Sequence, residues 1–151
     1  MTLRTITRAI VSCIFCTIPA AADPLGTRIY DGDTIAPTIR LTIDAEISFD
    51  TPETSRRSGA QCDLEIERGK AASARLREII RKADVFRLEP LYDFNTGEIA
   101  RTRDRRRLLA RAIADGTNVG HTLAAEGHAM IYNWRTQRID WCASPPKREA
   151  R

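Results

Sequence analysis

Two short acidic stretches, "DGDT" at 31–34 and "DTPE" at 50–53, carry Asp31, Asp33, Asp50 and Glu53 at turn-like positions, with a strand-like run rich in Thr and Ile between them. Carboxylates from two turns can converge on one hard cation, and calcium accepts Asp and Glu oxygens, backbone carbonyls and water. A divalent ion held in that way can polarise a phosphoryl oxygen and orient or activate a water. A neighbouring Glu can act as general base, and arginines can stabilise the charge that develops at phosphorus. The plainer reading of the same residues is an Asp-Gly turn and a strand end followed by a Pro loop, because surface acids are common.

Such groups need a scaffold to bring them together. Between the acidic stretches, Ile43, Ala45, Ile47 and Phe49 share one parity, and Asp44, Glu46, Ser48 and Asp50 the other, which predicts a half-buried strand with Ala45 facing the core. Asp31-Gly32 marks a turn, and Pro37 interrupts the next strand or lies on an edge. Two or three antiparallel strands are expected here. A polar loop, 51–62, leads into a helical pattern over 63–83, with Ala72, Leu76, Ile79, Ile80 and Ala83 on one face and Asp63 as N-cap. Residues 84–91 read as a strand stopped by Pro90. Residues 107–116 read as another, with Leu109 and Ile113 on one parity and an Asp-Gly turn at its end. A short helix follows, with Val119, Leu123 and Ala124 inward and Gly127 as its stop, and then a last extended piece, 128–134. Strands, a helix, more strands and a helix predict an α+β domain, and a five-stranded antiparallel barrel of the OB type with two or three helices fits that count.

The 151 residues suit one domain. Residues 1–22 read as a signal peptide: Arg4 and Arg8 form a basic start, Ala9 to Ile18 an apolar run, and Ala20 to Ala22 a small-residue cleavage site. That run is shorter than the roughly 17–25 residues that span a bilayer, so an exported chain, periplasmic or secreted, is expected rather than an anchored one. The domain is then 23–143, and the Pro-rich, charged tail 144–151 is expected to be disordered. The whole chain has 24 basic and 20 acidic residues; losing Arg4 and Arg8 leaves a net charge of about +2. That balance neither demands nor excludes nucleic acid. Two of the four cysteines leave with the signal peptide, and Cys62 and Cys142 remain; in an oxidising compartment a disulfide between them is expected, with two unpaired thiols as the alternative. His121 and His128, seven residues apart, form no zinc pattern with them.

Taken in order, "DGDTI" at 31–35, "DTPE" at 50–53 and "RLLARAIADGTNVGHTLAAEGHA" at 107–129 resemble the staphylococcal nuclease (thermonuclease) family. The "QC-x-x-E" segment before the long helix and the late "WC" are similar to short exported members, so the resemblance extends over roughly residues 27 to 142. It implies an OB-fold barrel and calcium-dependent hydrolysis of phosphodiester bonds in DNA or RNA, by a monomer. It also implies roles: Asp33 and Asp50 as metal ligands, Thr51 as donor of a backbone carbonyl to the metal, Glu53 as the group that orients or deprotonates water, and Arg107 as a phosphate-contacting arginine.

The chain departs from the family at two places. A second arginine usually stands five residues before the aspartate of "DTPE", and here Ala45 holds that position. Arg40, ten residues before Asp50, is expected at the far end of the hairpin, so a replacement could come from Arg56 or Arg57. Ahead of Arg107 the family often shows a Tyr-Gly pair, where this chain has Arg105 and Arg106. These could contact phosphate or stack on a base, or could belong to a solvated basic loop. Tyr132 and Trp134 lie near positions where family members place aromatics around a nucleotide. The expected activity is therefore a nuclease, slow if an arginine is missing. A nucleic-acid-binding module without turnover, or a secreted interaction domain, are the alternatives.

Overall fold

A tight antiparallel hairpin sets up the region that follows the first acidic turn. In the computed structural model, which describes residues 28–36, 38–133 and 139–143, strand β1 (Thr34–Ile35) pairs with β2 (Ile39–Leu41), Thr34 opposite Arg40. Strand β2 then runs parallel to β5 (Leu108–Ala114), with Arg40 beside Leu109. Strand β5 also pairs with β4 (Phe86–Pro90) on its other edge and, near its end, with the short β6 (Thr117–Asn118) on the edge that β2 uses, both antiparallel. A separate pair joins β3 (Ile47–Asp50) to β7 (Met130–Asn133), with Asp50 opposite Met130. The protein is thus α+β, with a five-stranded sheet, a two-stranded sheet and two helices, and the described strands form no closed barrel. One pairing is parallel where an all-antiparallel arrangement was expected. The long connection from β2 to β5 contains a helix and other strands, which is what parallel pairing requires.

The N-cap of helix α1 (Asp63–Lys82) lies one residue earlier than expected: Cys62 is the cap, its sulfur accepting the Glu65 amide, and Asp63 is the first helical residue. Its apolar stripe buries Ala72, Leu76 and Ile80. Helix α2 (Val119–Ala125) is capped by Asn118, whose Oδ1 accepts the Gly120 amide at 2.8 Å. Gly127, at φ 82, follows it as the expected stop. Both helices close on one core of Ile35, Leu41, Phe49, Leu76, Ile80, Val119 and Leu123. In β5 it is Ala112 and Ala114 that join this core, while Ile113 is only partly buried.

The alternating run before Asp50 is not one strand. Asp44 Oδ1 accepts the amides of Glu46 and Ile47 at 2.8 and 2.7 Å, and Thr42 Oγ1 bonds the carbonyls of Asp44 and Ile47. Those bonds turn the chain over 42–46, so Ala45 is exposed rather than core-facing and only Ile47–Asp50 remains strand. Within it Ser48 and Phe49 are buried and Ile47 is 39% exposed, a phase the two-residue repeat missed. The expected signal peptide 1–22, Pro37, Trp134 and the tail 144–151 lie outside the described residues.

Candidate active site

Two glycines set how closely the acidic turns approach the long helix. A Cβ on Gly32 would come within 2.9 Å of both Thr51 and Ala72, and a Cβ on Gly69 would meet the carbonyl oxygens of Pro52 and Glu53 at 2.5 Å. The "DGDT" and "DTPE" turns are therefore pressed against each other and against α1. Asp31 Oδ1 accepts the Asp33 amide at 3.2 Å, and Asp33 Oδ2 accepts the Thr51 amide at 3.1 Å, which ties the two motifs directly.

The cation between them is Arg40. Its Nη1 lies 2.9 Å from Asp33 Oδ1, its Nη2 lies 3.1 Å from Asp50 Oδ1, and Nη2 also donates to the Phe49 carbonyl at 3.2 Å. The sequence placed Arg40 at the far end of a hairpin and left the position of Ala45 to be made good by Arg56 or Arg57. The structure corrects this. Arg56 pairs with Asp63 at 2.7 Å and Arg57 is exposed. The tight β1–β2 hairpin and the turn over 42–46 take up the longer spacing, so an arginine ten residues before Asp50 still reaches it.

Asp33 is buried, and burial raises its pKa from 3.8 to about 7, with the charge of Asp31 adding and Arg40 and the Thr51 amide opposing. Burial also raises Asp50, joined by the charge of Asp33 and opposed by a hydrogen bond from Trp141 and by Arg40. Burial works against the charge of Arg40 itself, but Asp33 and Asp50 outweigh it, and nearby Tyr132 adds to their effect, so its pKa stands above the ordinary value.

Glu53 and Arg107 share a cavity of about 410 Å³ with Asp31, Thr34, Asp104 and Arg106. Arg107 Nη1 donates to Thr34 Oγ1 at 3.3 Å, and Thr34 Oγ1 donates to Asp33 Oδ1 at 3.1 Å, so the arginine is linked to the buried aspartate through one hydroxyl. Burial raises the pKa of Glu53, a hydrogen bond with Ser58 opposes it, and Asp33 and Asp50 add to the rise. The Glu53 amide is 3.4 Å from Glu65 Oε1, on the first turn of α1. Arg106 lines the cavity, but Arg105, at φ 59, lines a separate depression with Asp93, Glu98 and Arg101. Tyr132 stands on β7 opposite Ser48, on the Arg40 side of the site.

The donor set suits a hard cation. It is made of carboxylate oxygens, and Thr51 Oγ1 beside it is buried with no hydrogen-bond partner. Asp33, Asp50 and Glu53 do not, however, close into a group with all ligand atoms within 4.8 Å of one another. The one such group of three among the described residues is Cys62, Glu65 and Cys142. Its two cysteines form the expected disulfide, closing 80 residues of chain.

The sequence motifs "QC-x-x-E" and "WC" contain Glu65 and Trp141 but gave neither a role: Trp141 Nε1 donates to Asp50 Oδ2 at 3.0 Å, and Glu65 is a fully buried carboxylate holding the Gln61 amide at 2.7 Å. The only local signal for Trp141 was its place beside Cys142. No protein-family model matches the chain, and no curated protein matches it.

Proposed function

We propose that this protein is an exported, calcium-dependent nuclease of the staphylococcal nuclease type, hydrolysing phosphodiester bonds of DNA and/or RNA. The observation that carries this reading is Arg40 spanning Asp33 and Asp50 beside a cavity shared by Glu53 and Arg107. Arg40, drawn between the two aspartates, would take the role that Ala45 leaves open. Arg107, which lines the cavity, would donate to a non-bridging oxygen of a phosphodiester, and Arg40 would join it once calcium takes over Asp33 and Asp50, stabilising charge that grows as water attacks in line. Glu53 takes the proton from that water, and its raised pKa makes it a stronger base than an ordinary carboxylate. Asp33, Asp50 and the Thr51 carbonyl would hold calcium, which when bound polarises a phosphoryl oxygen. Arg106 on the cavity rim adds a phosphate contact.

The finer fold assignment is an OB-type barrel, supported by the succession of an Ile29–Ile35 bridge, β1, β2, β5 and β4. Export is supported by the Cys62–Cys142 disulfide, a bond that persists in oxidising compartments. The test is digestion of single-stranded DNA, double-stranded DNA and RNA in calcium and in EDTA, with Glu53→Gln alongside. Calcium-dependent cleavage that the variant loses supports the reading, and no cleavage of any substrate at millimolar calcium rejects it.

One observation favours a second reading, a binding module without turnover: Arg40 already neutralises both aspartates that would hold the ion. That reading expects salt-sensitive binding of nucleic acid with no cleavage.

A further inference from the structure

The segment 139–143 is fastened at four points. Cys142 is bonded to Cys62 at the start of α1. Arg68 of α1 donates to the carbonyls of Trp141 and Ala143 at 2.6 and 2.9 Å. Asp140 Oδ1 accepts the amides of Cys142 and Ala143 at 2.9 and 3.2 Å, folding the segment back on itself. The buried indole of Trp141 then reaches Asp50, a residue 91 positions away in the chain. Asp50 is thereby gripped from two sides, by Arg40 on Oδ1 and by Trp141 on Oδ2. The same end of α1 also touches the second acidic turn, because Glu65, 4.0 Å from Cys142 Sγ, lies against the Glu53 amide.

We infer that the Cys62–Cys142 disulfide is the latch that seats Trp141 on Asp50, that Trp141 is a positioning residue for the site, and that the site's activity depends on the oxidised state of this bond. The inference deepens the nuclease reading and rests on it for its functional part. The bond is the covalent restraint on a long loop, and without it the indole is held near Asp50 only by the Arg68 bonds and its own packing. A dithiol opens the latch by two exchanges: it loses two electrons and two protons and closes to a cyclic disulfide, and Cys62 and Cys142 become thiols. Asp50 then keeps Arg40 on one oxygen and is free to rotate on the other.

The experiment follows the indole N–H resonances of the nitrogen-labelled chain, with the Trp141 signal identified by its loss in Trp141→Phe. In the oxidised protein this signal is expected to exchange slowly with solvent and to shift in Asp50→Asn. Reduction by dithiothreitol, with helix content checked by circular dichroism, is expected to speed its exchange and to lower kcat for cleavage by about tenfold, the scale of one hydrogen bond to a charged group, with KM little changed. The double variant Cys62→Ser, Cys142→Ser keeps an N-cap oxygen for α1 and is expected to behave like the reduced protein. A Trp141 signal that ignores both reduction and Asp50→Asn overturns the inference. So does Trp141→Phe cleaving at the wild-type rate, which decides the matter if the reduced chain unfolds. Should the oxidised protein cleave nothing while its indole signal still answers to Asp50→Asn and to reduction, the nuclease reading fails and the latch stands.

Discussion

Arg40 Nη1 lies 2.9 Å from Asp33 Oδ1, inside a pocket where the carboxylate is almost wholly removed from water. This pair sets the electrostatics of the site, because the same guanidinium also carries Asp50. Removing it leaves a buried Asp33 and a partly buried Asp50 facing each other without a cation, and leaving a buried charge unpaired is destabilising. Arg40→Ala is therefore expected to lower the melting temperature in EDTA and to show a larger calcium-induced rise than wild type, since calcium then replaces the lost charge. Cleavage is expected to fall by about 10²–10³-fold, the loss that follows removal of one donor to a developing oxyanion. Paired thermal melts and single-turnover kinetics measure both. A variant that cleaves normally would leave Arg40 with a structural role alone.

Asp33 carries a pH dependence with a definite sign. Its pKa is about 7 in the folded protein against 3.8 ordinarily, so between those values the folded state holds a proton that the unfolded state has lost. Its contribution to stability is complete below the lower value and is lost as pH rises toward the upper one. Calcium binding, on the proposed nuclease reading, would run the other way, because the ion would compete with that proton: affinity is expected to climb as pH passes from 6 to 8, by up to about tenfold per unit below the pKa. Calcium titrations by calorimetry at a series of pH values test this. Asp33→Asn should flatten the dependence and weaken binding together, and an unchanged slope would remove Asp33 from the linkage.

The parts of this site that could be read from the chain are those whose chemistry is local. Asp31-Gly32 and Thr51-Pro52 marked turns because those residues shape their own backbone, and the stripe of α1 repeats within a few residues of itself. Arg40 was misplaced because its position depends on pairing with Leu109, far along the chain, and on a turn that broke the alternation. That turn had a visible cause, the Asp44 carboxylate competing for the amides of Glu46 and Ile47, but its strength against a Thr/Ile-rich strand pattern is not a property of the pattern. Trp141 was hidden for the same reason as Arg40: its partner lies across the whole domain. The Cys62–Cys142 pairing was legible because only these two cysteines lie outside the segment 1–22 expected to be a leader.

The arginine run divides into residues that face the cavity and one that does not. Arg106 and Arg107 line it, while Arg105 turns toward Asp93 and Glu98. Arg106→Ala is expected to weaken nucleic-acid binding and to reduce the slope of log affinity against log salt by about 1, with Arg105→Ala close to wild type in both. Fluorescence anisotropy with a labelled oligonucleotide in EDTA, repeated across salt concentrations, separates them. Equal effects from the two variants would mean that the run acts as an undifferentiated basic surface.

Gly69 poses a contest between two opposing effects. It lies inside α1, where alanine is favoured over glycine by about 0.8–1.0 kcal/mol. Against this, the added methyl would stand 2.5 Å from the carbonyl oxygens of Pro52 and Glu53, which are backbone atoms and cannot swing aside as a side chain would. Overpacking of that kind costs about 1–3 kcal/mol. The clash is expected to win, so Gly69→Ala should lower stability in urea unfolding despite the better helix former. Because the displaced segment carries Glu53, kcat should fall with it, and Glu53 lies on the cavity wall where a shift of an ångström changes its reach to a bound water. A Gly69→Ala protein that is more stable and equally active would show that the second acidic turn does not rest on α1 in solution.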